Sequence, residues 1–214
     1  MNRGRFITLE GGEGAGKTTQ SALLADALIA RGVAVLRTRE PGGSPGAEVL
    51  RGLLLGGTVD WSPRAETLLH FAARAEHVAQ TVQPALAAGT WVVCDRFFDS
   101  TLAYQGYGQG ADRGFIASLI GLLGIAPDLT LILDVPEAVA AERMRRRGGE
   151  ADRYERLDAA FHGRVRQGFR DIATAEPRRC VLLDASRDIQ AVHTAIMAVV
   201  TTESTPAARP VPLP

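Results

Sequence analysis

Lysine is almost missing from this chain. Of the 24 basic side chains among its 214 residues, all are arginine except one, Lys17. The exception reads as chemical rather than compositional, because a compact ammonium on a flexible stem reaches between phosphates where a planar guanidinium does not fit. Excess charge is missing too: the formal net charge is +0, which argues against a nucleic-acid binder or a membrane-surface binder, since both need a basic field over a large face. No apolar run approaches the roughly 20 residues of a spanning helix, and no cleavable signal pattern opens the chain, so the expected location is the cytoplasm and the expected partners are small molecules. Two cysteines, Cys94 and Cys180, make no disulfide framework; both sit in short apolar runs and are expected to be buried thiols.

What is present is an alternation of short β-rich runs with helix-period stretches. The runs 6–10, 33–36, 91–94, 129–134 and 180–184 are short, mainly apolar and β-rich, as strands covered on both faces should be, and several end in an acidic residue. Between them lie helical patterns: Leu23, Leu24, Ala27 and Leu28 before a stop at Gly32, and Tyr154, Leu157, Phe161, Val165, Phe169 and Ile172 further on. Such alternation predicts an α/β fold with a five-stranded parallel sheet, right-handed crossovers and ligands at the carboxyl ends of the strands. With 46% apolar residues the chain can bury one core. The expected organisation is a single domain over residues 1–200 with a small lid at about 143–155. A disordered tail is expected over 201–214, where Pro, Ala and Thr dominate.

The strongest local signal is Gly11-Gly12-Glu13-Gly14-Ala15-Gly16-Lys17-Thr18, followed by Thr19. The spacing G-x-x-x-x-G-K-T follows a strand and opens a helix, the context in which it marks a phosphate-binding loop. Glycines turn backbone N–H groups inward on an anion, Lys17 reaches the β- and γ-phosphates of a nucleoside triphosphate, and the Thr18 hydroxyl binds Mg²⁺. Asp95, which ends the run Trp91-Val92-Val93-Cys94, is placed to share that metal shell. A guanine-nucleotide switch normally selects its base with Asn-Lys-x-Asp. This chain cannot contain that loop, because its only Asn is Asn2 and its only Lys is Lys17. What remains is an ATPase or a small-molecule kinase. Arg39, Arg51, Arg74 and Arg96 all lie on or just beyond segments leading to the carboxyl edge of the sheet, and that many arginines favour a kinase holding a second, anionic substrate.

A further cluster, Arg143, Arg145, Arg146 and Arg147, ends a helix expected to begin at Pro136, and Gly148-Gly149 separates it from Arg153. Positions 143, 146 and 147 share one helical face. Two readings stand here: a solvated helix end favoured by the dipole, or a lid whose arginines close over the transferring phosphoryl group, exclude water and contribute on the order of 10³ to 10⁵ in rate.

Taken together, the loop with its acidic third residue Glu13, the run Thr38-Arg39-Glu40-Pro41-Gly42-Gly43, Phe-Ala-Ala-Arg at 71–74, and the long motif from Val93 through Asp95-Arg96-Phe97-Phe98-Asp99-Ser100-Thr101 to Tyr104-Gln105-Gly106 resemble the thymidylate kinases, over about residues 5–200. Gly14 resembles the bacterial subgroup that carries its catalytic basic residues in the lid. The resemblance implies a nucleoside-monophosphate-kinase-like three-layer fold, ATP and dTMP as substrates, Mg²⁺ as the metal, and a homodimer, for which the apolar stretch 65–88 would supply a helical interface. It also implies roles. Arg96, counted with the catalytic residues, would clamp the acceptor 5′-phosphate together with Arg39 and Arg51, and the catalytic Glu13 would lie near the sugar 3′-hydroxyl and the transferring group. Arg74 and Gln105 would read the thymine edge, Tyr104 would crowd the 2′ position, and Ser100, Thr101, Glu40 and Pro41 would line the pocket. Lys17, Arg147 and Arg153 would act on the transferring group, and Arg143 would contact ATP. The chain departs from the family where an aromatic usually stacks on thymine: it has His70, with Phe71 one residue later, and either ring is a candidate for the stack. The other histidines carry no assigned role.

The expected reaction is transfer of the γ-phosphoryl of ATP to dTMP without a covalent intermediate, since the acceptor phosphate is already a competent nucleophile. The alternatives are a kinase for another small acceptor and a nucleotide-binding regulatory ATPase.

Overall fold

A computed structural model of the protein describes residues 3–56, 59–148 and 153–202. Five strands, β1 (Phe6–Glu10), β2 (Val35–Arg39), β3 (Trp91–Asp95), β4 (Leu129–Asp134) and β5 (Cys180–Asp184), form one sheet in the order β2-β3-β1-β4-β5. Every pairing is parallel. β1 lies in the centre, with all five of its residues buried, and β4 shows one partly exposed residue only at its end. That explains why these two runs read as continuous apolar stretches. β2, at an edge, runs from 35 to 39 rather than from 33 to 36. Its polar residues Arg37, Thr38 and Arg39 obscure the strand in the sequence, and Val33 belongs instead to the turn closing the preceding helix, where its N–H bonds Leu28 O.

Helices pack on both faces. On one, α1 (Lys17–Ile29) and α9 (Ile189–Thr202) cover Ile7, Leu9, Val93, Leu129, Leu131 and Leu133. On the other, α3 (Pro63–His77) continues through a π-helical turn, Val78–Val82, into α4 (Gln83–Ala87). Its Phe71, Val78, Val82 and Leu86 join Phe6, Val92, Phe97 and, from α6 (Arg113–Leu123), Ile116. Much of the apolar stretch 65–88 therefore faces this chain's own core. α2 (Pro45–Leu55) lies against α3 and begins on Ser44, whose hydroxyl caps Ala47 N–H. α5 (Phe98–Thr101) runs into a second π-helical segment, Leu102–Gly108.

α7 (Glu137–Arg147) starts just after Pro136 and stops at Gly148, φ 64°, as the sequence pattern requires. α8 spans Ala159–Ala175 and is capped by Asp158. The helical period expected to begin at Tyr154 begins later, because the Asp158 carboxylate takes the Phe161 N–H and so sets the first turn. Tyr154 and Leu157 lie in the turn ahead of it. Of the tail expected over 201–214, Thr201 and Thr202 end α9 and the rest falls outside the described residues, as do 149–152 of the expected lid. Cys94 and Cys180 are free and buried as expected, and burial pushes both thiols up, Cys180 to about 12.

Candidate active site

The carboxyl ends of β1, β2 and β3 open onto one cleft of about 530 Å³. At its floor the phosphate loop runs from β1 into α1, with Gly16 at φ 88° immediately before the first helical residue, Lys17. Two glycines of the loop are demanded by close approach. A Cβ on Gly11 (φ 136°) would meet Leu133 O at 2.5 Å, and one on Gly14 (φ 68°) would meet Ala140 O at 2.6 Å. The second contact means that the backbone of α7 lies directly on the loop, so the glycine associated in sequence with a basic lid is the one that lets the lid helix pack there. Lys17 Nζ donates to Gly12 O at 2.7 Å. Burial, then the nearby Arg96 charge, depress its ammonium to about 8 against the opposing pull of Glu13.

Thr18 Oγ1 donates to Asp95 Oδ2 at 2.6 Å, joining the loop to the end of β3. A hydroxyl and a carboxylate are both hard oxygen donors, and two protein oxygens are what a Mg²⁺ needs when phosphates and waters complete its octahedron. Among the described residues no group of three or more His, Cys, Asp or Glu forms a metal cage. Thr18 and Asp95 therefore fit a magnesium ion carried in with a nucleotide.

Arg96 stands beside them in a left-handed backbone conformation, φ 71°, which costs a non-glycine residue of order 1 kcal/mol or more. The β-sheet holds it there through Arg96 N–H to Leu9 O at 2.9 Å. The guanidinium uses both terminal nitrogens. Nη1 donates to Gly11 O (3.0 Å) and Ser100 Oγ (3.1 Å), and Nη2 donates to Glu13 Oε1 (2.6 Å) and Tyr104 OH (3.0 Å). Tyr104 OH in turn donates to Glu13 at 2.7 Å. Burial alone would raise the Glu13 carboxyl, but the charges of Arg96 and then Lys17 pull it down to about 2, so Glu13 is an anion throughout the neutral range.

The far wall of the cleft contains the residues expected on the acceptor side. Arg74, 2% exposed, bonds Glu40 Oε2 through Nε at 2.7 Å and Phe97 O through Nη2 at 3.0 Å. Among the described residues its Nη1 is buried without a hydrogen-bond partner, a donor left over for a ligand. Glu40 also takes His77 Nδ1 at 2.9 Å, so this carboxylate acts as the support of Arg74. His70 lines the cleft and Phe71 does not, since Phe71 faces the core of the sheet. The His70 ring meets Tyr154 OH at 2.9 Å, and burial, with the Arg74 charge, drives its pKa down to about 3, leaving it neutral. Gln105 and Thr101 line the same wall, with Gln105 Nε2 bonded to Glu66 and Tyr154. Pro41 O accepts from Arg51 Nη1 at 2.7 Å, while the exposed Arg39 pairs with Glu48.

The arginines of α7 divide. Arg143 and Arg147 line the cleft, Arg143 donating to Arg187 O at 3.0 Å and Arg147 pairing with Glu155. Arg145 and Arg146 pair with Glu142 on the solvent side. Hence of the expected face 143, 146 and 147 only the first and last line the cleft, and Arg146, like Arg145, lies on the exposed side of the helix. Arg153 is not among the cleft-lining residues and pairs with Glu66 at 2.7 Å.

The sequence reading missed several groups. Glu10, at the end of β1, is wholly buried and accepts from Phe97 N–H (2.7 Å) and Ser100 Oγ (2.6 Å). Burial, then Asp99, push it up to about 8. Asp99 is clamped by Arg179 at 2.7 and 2.9 Å. Glu66 was equally unmarked, and Tyr154 was read only as part of a helical period. Glu10 had a local signal, an acid ending an apolar strand. The others pair across long separations that no local pattern announces.

The family model described as "Thymidylate kinase" matches residues 9–196. The thymidylate kinase of Gluconobacter oxydans is 55% identical over 199 residues, covering 91% of this chain and 93% of its own length. That of Chromohalobacter salexigens is 52% identical over 206 residues, with coverages of 92% and 95%. The crystal structure of thymidylate kinase from Ehrlichia chaffeensis superposes with a TM-score of 0.77 at 40% identity, covering 93% of this chain and 99% of that one. On the family model, the length of the matches and the shared fold, this chain belongs to the thymidylate kinase family.

Proposed function

We propose that the protein is a cytoplasmic, homodimeric kinase that transfers the γ-phosphoryl group of Mg·ATP to the 5′-phosphate of dTMP, giving dTDP and ADP. The observation that carries this reading is the joining, in one cleft, of the Lys17 phosphate loop with Arg96 and with the unpartnered Arg74 Nη1. An ATPase needs only the first of these. Gly11 to Gly16 would cradle the β-phosphate of ATP on their N–H groups, Lys17 would neutralise the β- and γ-oxygens, and Thr19 and Arg143 would complete the nucleotide side. Thr18 and Asp95 would hold Mg²⁺, which when bound offsets charge on the phosphate oxygens.

On the acceptor side Arg96 would grip the 5′-phosphate bidentately, with Arg39 and Arg51 behind it. Glu13, kept ionised by Arg96 and Lys17, would accept from the sugar 3′-hydroxyl. Tyr104, bonded to Glu13 and Arg96, would close the space a 2′-hydroxyl needs. Arg74 Nη1 and Gln105 would meet the thymine edge, and the neutral His70 ring, with Ser100, Thr101, Glu40 and Pro41, would complete the pocket. No proton needs to leave the acceptor phosphate, so these residues position and neutralise rather than exchange protons. Arg147 would reach the transferring group from α7, with Arg153 in the returning segment. Exposed Val49, Leu53 and Leu68 on α2 and α3 support the dimer, which light scattering would read as twice the chain mass.

The test is ADP release from Mg·ATP with dTMP, dUMP, dCMP, dGMP, dAMP or no acceptor. Activity confined to dTMP with weaker dUMP supports the reading. Preference for another monophosphate would refute the thymine pocket, and turnover without acceptor would refute the kinase.

A further inference from the structure

Glu66 has no place in the chemistry described above, yet it is the best-connected carboxylate near the cleft. It is fully buried in the first turn of α3. Its Oε1 accepts from Gln105 Nε2 (2.7 Å), Gln109 Nε2 (2.8 Å) and Tyr154 OH (2.7 Å), and its Oε2 pairs with Arg153 Nη1 at 2.7 Å. The partners come from the π-helical segment, the residue just beyond it and the turn ahead of α8, so one side chain ties three parts of the chain together.

The proton arrangement follows from the acceptor. A carboxylate can only accept, so Tyr154 spends its one hydroxyl proton on Glu66. The Tyr154 oxygen is then an acceptor for Gln105 Nε2 at 3.1 Å and for His70 Nε2–H at 2.9 Å. That assigns the neutral His70 ring its proton on Nε2 and leaves Nδ1 as an acceptor. Glu66 thereby orients Gln105, Tyr154 and His70, all of which line the cleft, without lining it itself. The connection runs on in the other direction. In three consecutive residues, Arg153 pairs with Glu66, Tyr154 bonds to it, and Glu155 pairs with Arg147 of α7, which also lines the cleft.

We propose that Glu66 is a positioning residue that sets the acceptor-base wall and, through the strap 153–155, holds Arg147 in register with it. This rests on the assignment of the wall to the base of dTMP. A group that arranges others pays its desolvation through four simultaneous partners, and removing its charge frees all of them at once.

The experiment compares wild type, Glu66→Gln, Tyr154→Phe and the double variant in steady-state kinetics with both substrates, together with thermal melts. Glu66→Gln keeps the volume but places an amide against the Arg153 cation. The expected result is a KM for dTMP raised about tenfold, a kcat lowered severalfold, and a KM for ATP within about twofold of wild type. Tyr154→Phe, which removes a single hydroxyl and folds even if the Glu66 variant does not, is expected to raise the KM for dTMP about threefold or more. The double variant is expected to be no worse than Glu66→Gln alone, because the hydroxyl acts through the carboxylate. Unchanged KM for dTMP in the variants, with only a lowered melting temperature or active fraction, would overturn the proposal, and so would a multiplicative effect in the double variant. Wild type that fails to phosphorylate dTMP at all would refute the functional reading itself, a separate outcome read from the same plates.

Discussion

Replacing Arg96 by lysine keeps the charge and removes the fork. The structure says what is lost. One guanidinium addresses acceptors from both terminal nitrogens, Gly11 O and Ser100 Oγ from one and Glu13 Oε1 and Tyr104 OH from the other. A lysine ammonium concentrates its donors at one point and cannot span the two sides. Against an acceptor phosphate the loss is about two charge-assisted hydrogen bonds at ~1.5–3 kcal/mol each, or ~3–6 kcal/mol in total. At ~1.4 kcal/mol per decade this predicts a fall in kcat/KM for dTMP of roughly 10² to 10⁴. ATP binding rests on the loop and should change by less than about threefold. Stability should fall by no more than about 2 kcal/mol, because Glu13 keeps a cation beside it; Arg96→Ala, which strands that carboxylate, should cost about 3–5 kcal/mol. The assay is kcat/KM for each substrate with a thermal melt on the same preparation. A folded Arg96→Lys variant within about fivefold of wild type for dTMP would refute the clamp.

Lys17→Ala should leave the fold intact, since among the described residues the side chain makes one bond, to Gly12 O, and should lower kcat by at least about 10² to 10³, the scale of a lost transition-state charge stabiliser; near-normal turnover would remove the loop from the chemistry. In wild type the ammonium, depressed to about 8 by burial and Arg96, is charged below that pH and neutral above it. kcat/KM for ATP should therefore decline as pH rises through about 8, and a profile flat to pH 10 would contradict the assignment. Among the lid arginines, Arg147→Ala and Arg153→Ala should both lower kcat, the second with modest change in dTMP affinity; an unchanged kcat for either removes that residue from the catalytic set.

Elements whose determinants are contiguous were legible in advance. The loop 11–18 places its N–H groups within a few residues of one another, so spacing alone specifies the cradle. The bounds of β1 and β4 follow from the sequence because strands covered on both faces are mostly apolar, and those of β5, an edge strand with alternating exposure, from the short run Cys180-Val181-Leu182-Leu183 that an acid closes. β2 was misplaced by polar residues at the sheet edge, and α8 by a cap whose carboxylate outranks hydrophobic period. In the site, Arg96 and Glu13 were each visible in a local motif, but their 2.6 Å contact spans 83 residues and exists because β1 and β3 are neighbours.

By itself the sequence determined the phosphate loop, the strand–helix alternation, the exclusion of an Asn-Lys-x-Asp base loop and the presence of anion-gathering arginines. These depend on backbone geometry and on residue types. Tertiary structure alone decided which side chains meet. It turned His70 rather than Phe71 to the cleft, left Arg74 Nη1 without a hydrogen-bond partner among the described residues, sent Arg145 and Arg146 to solvent, and gathered Gln105, Gln109, Arg153 and Tyr154 on Glu66. The reason is that a buried charge must find partners wherever the sheet order β2-β3-β1-β4-β5 brings them, at separations no local pattern encodes.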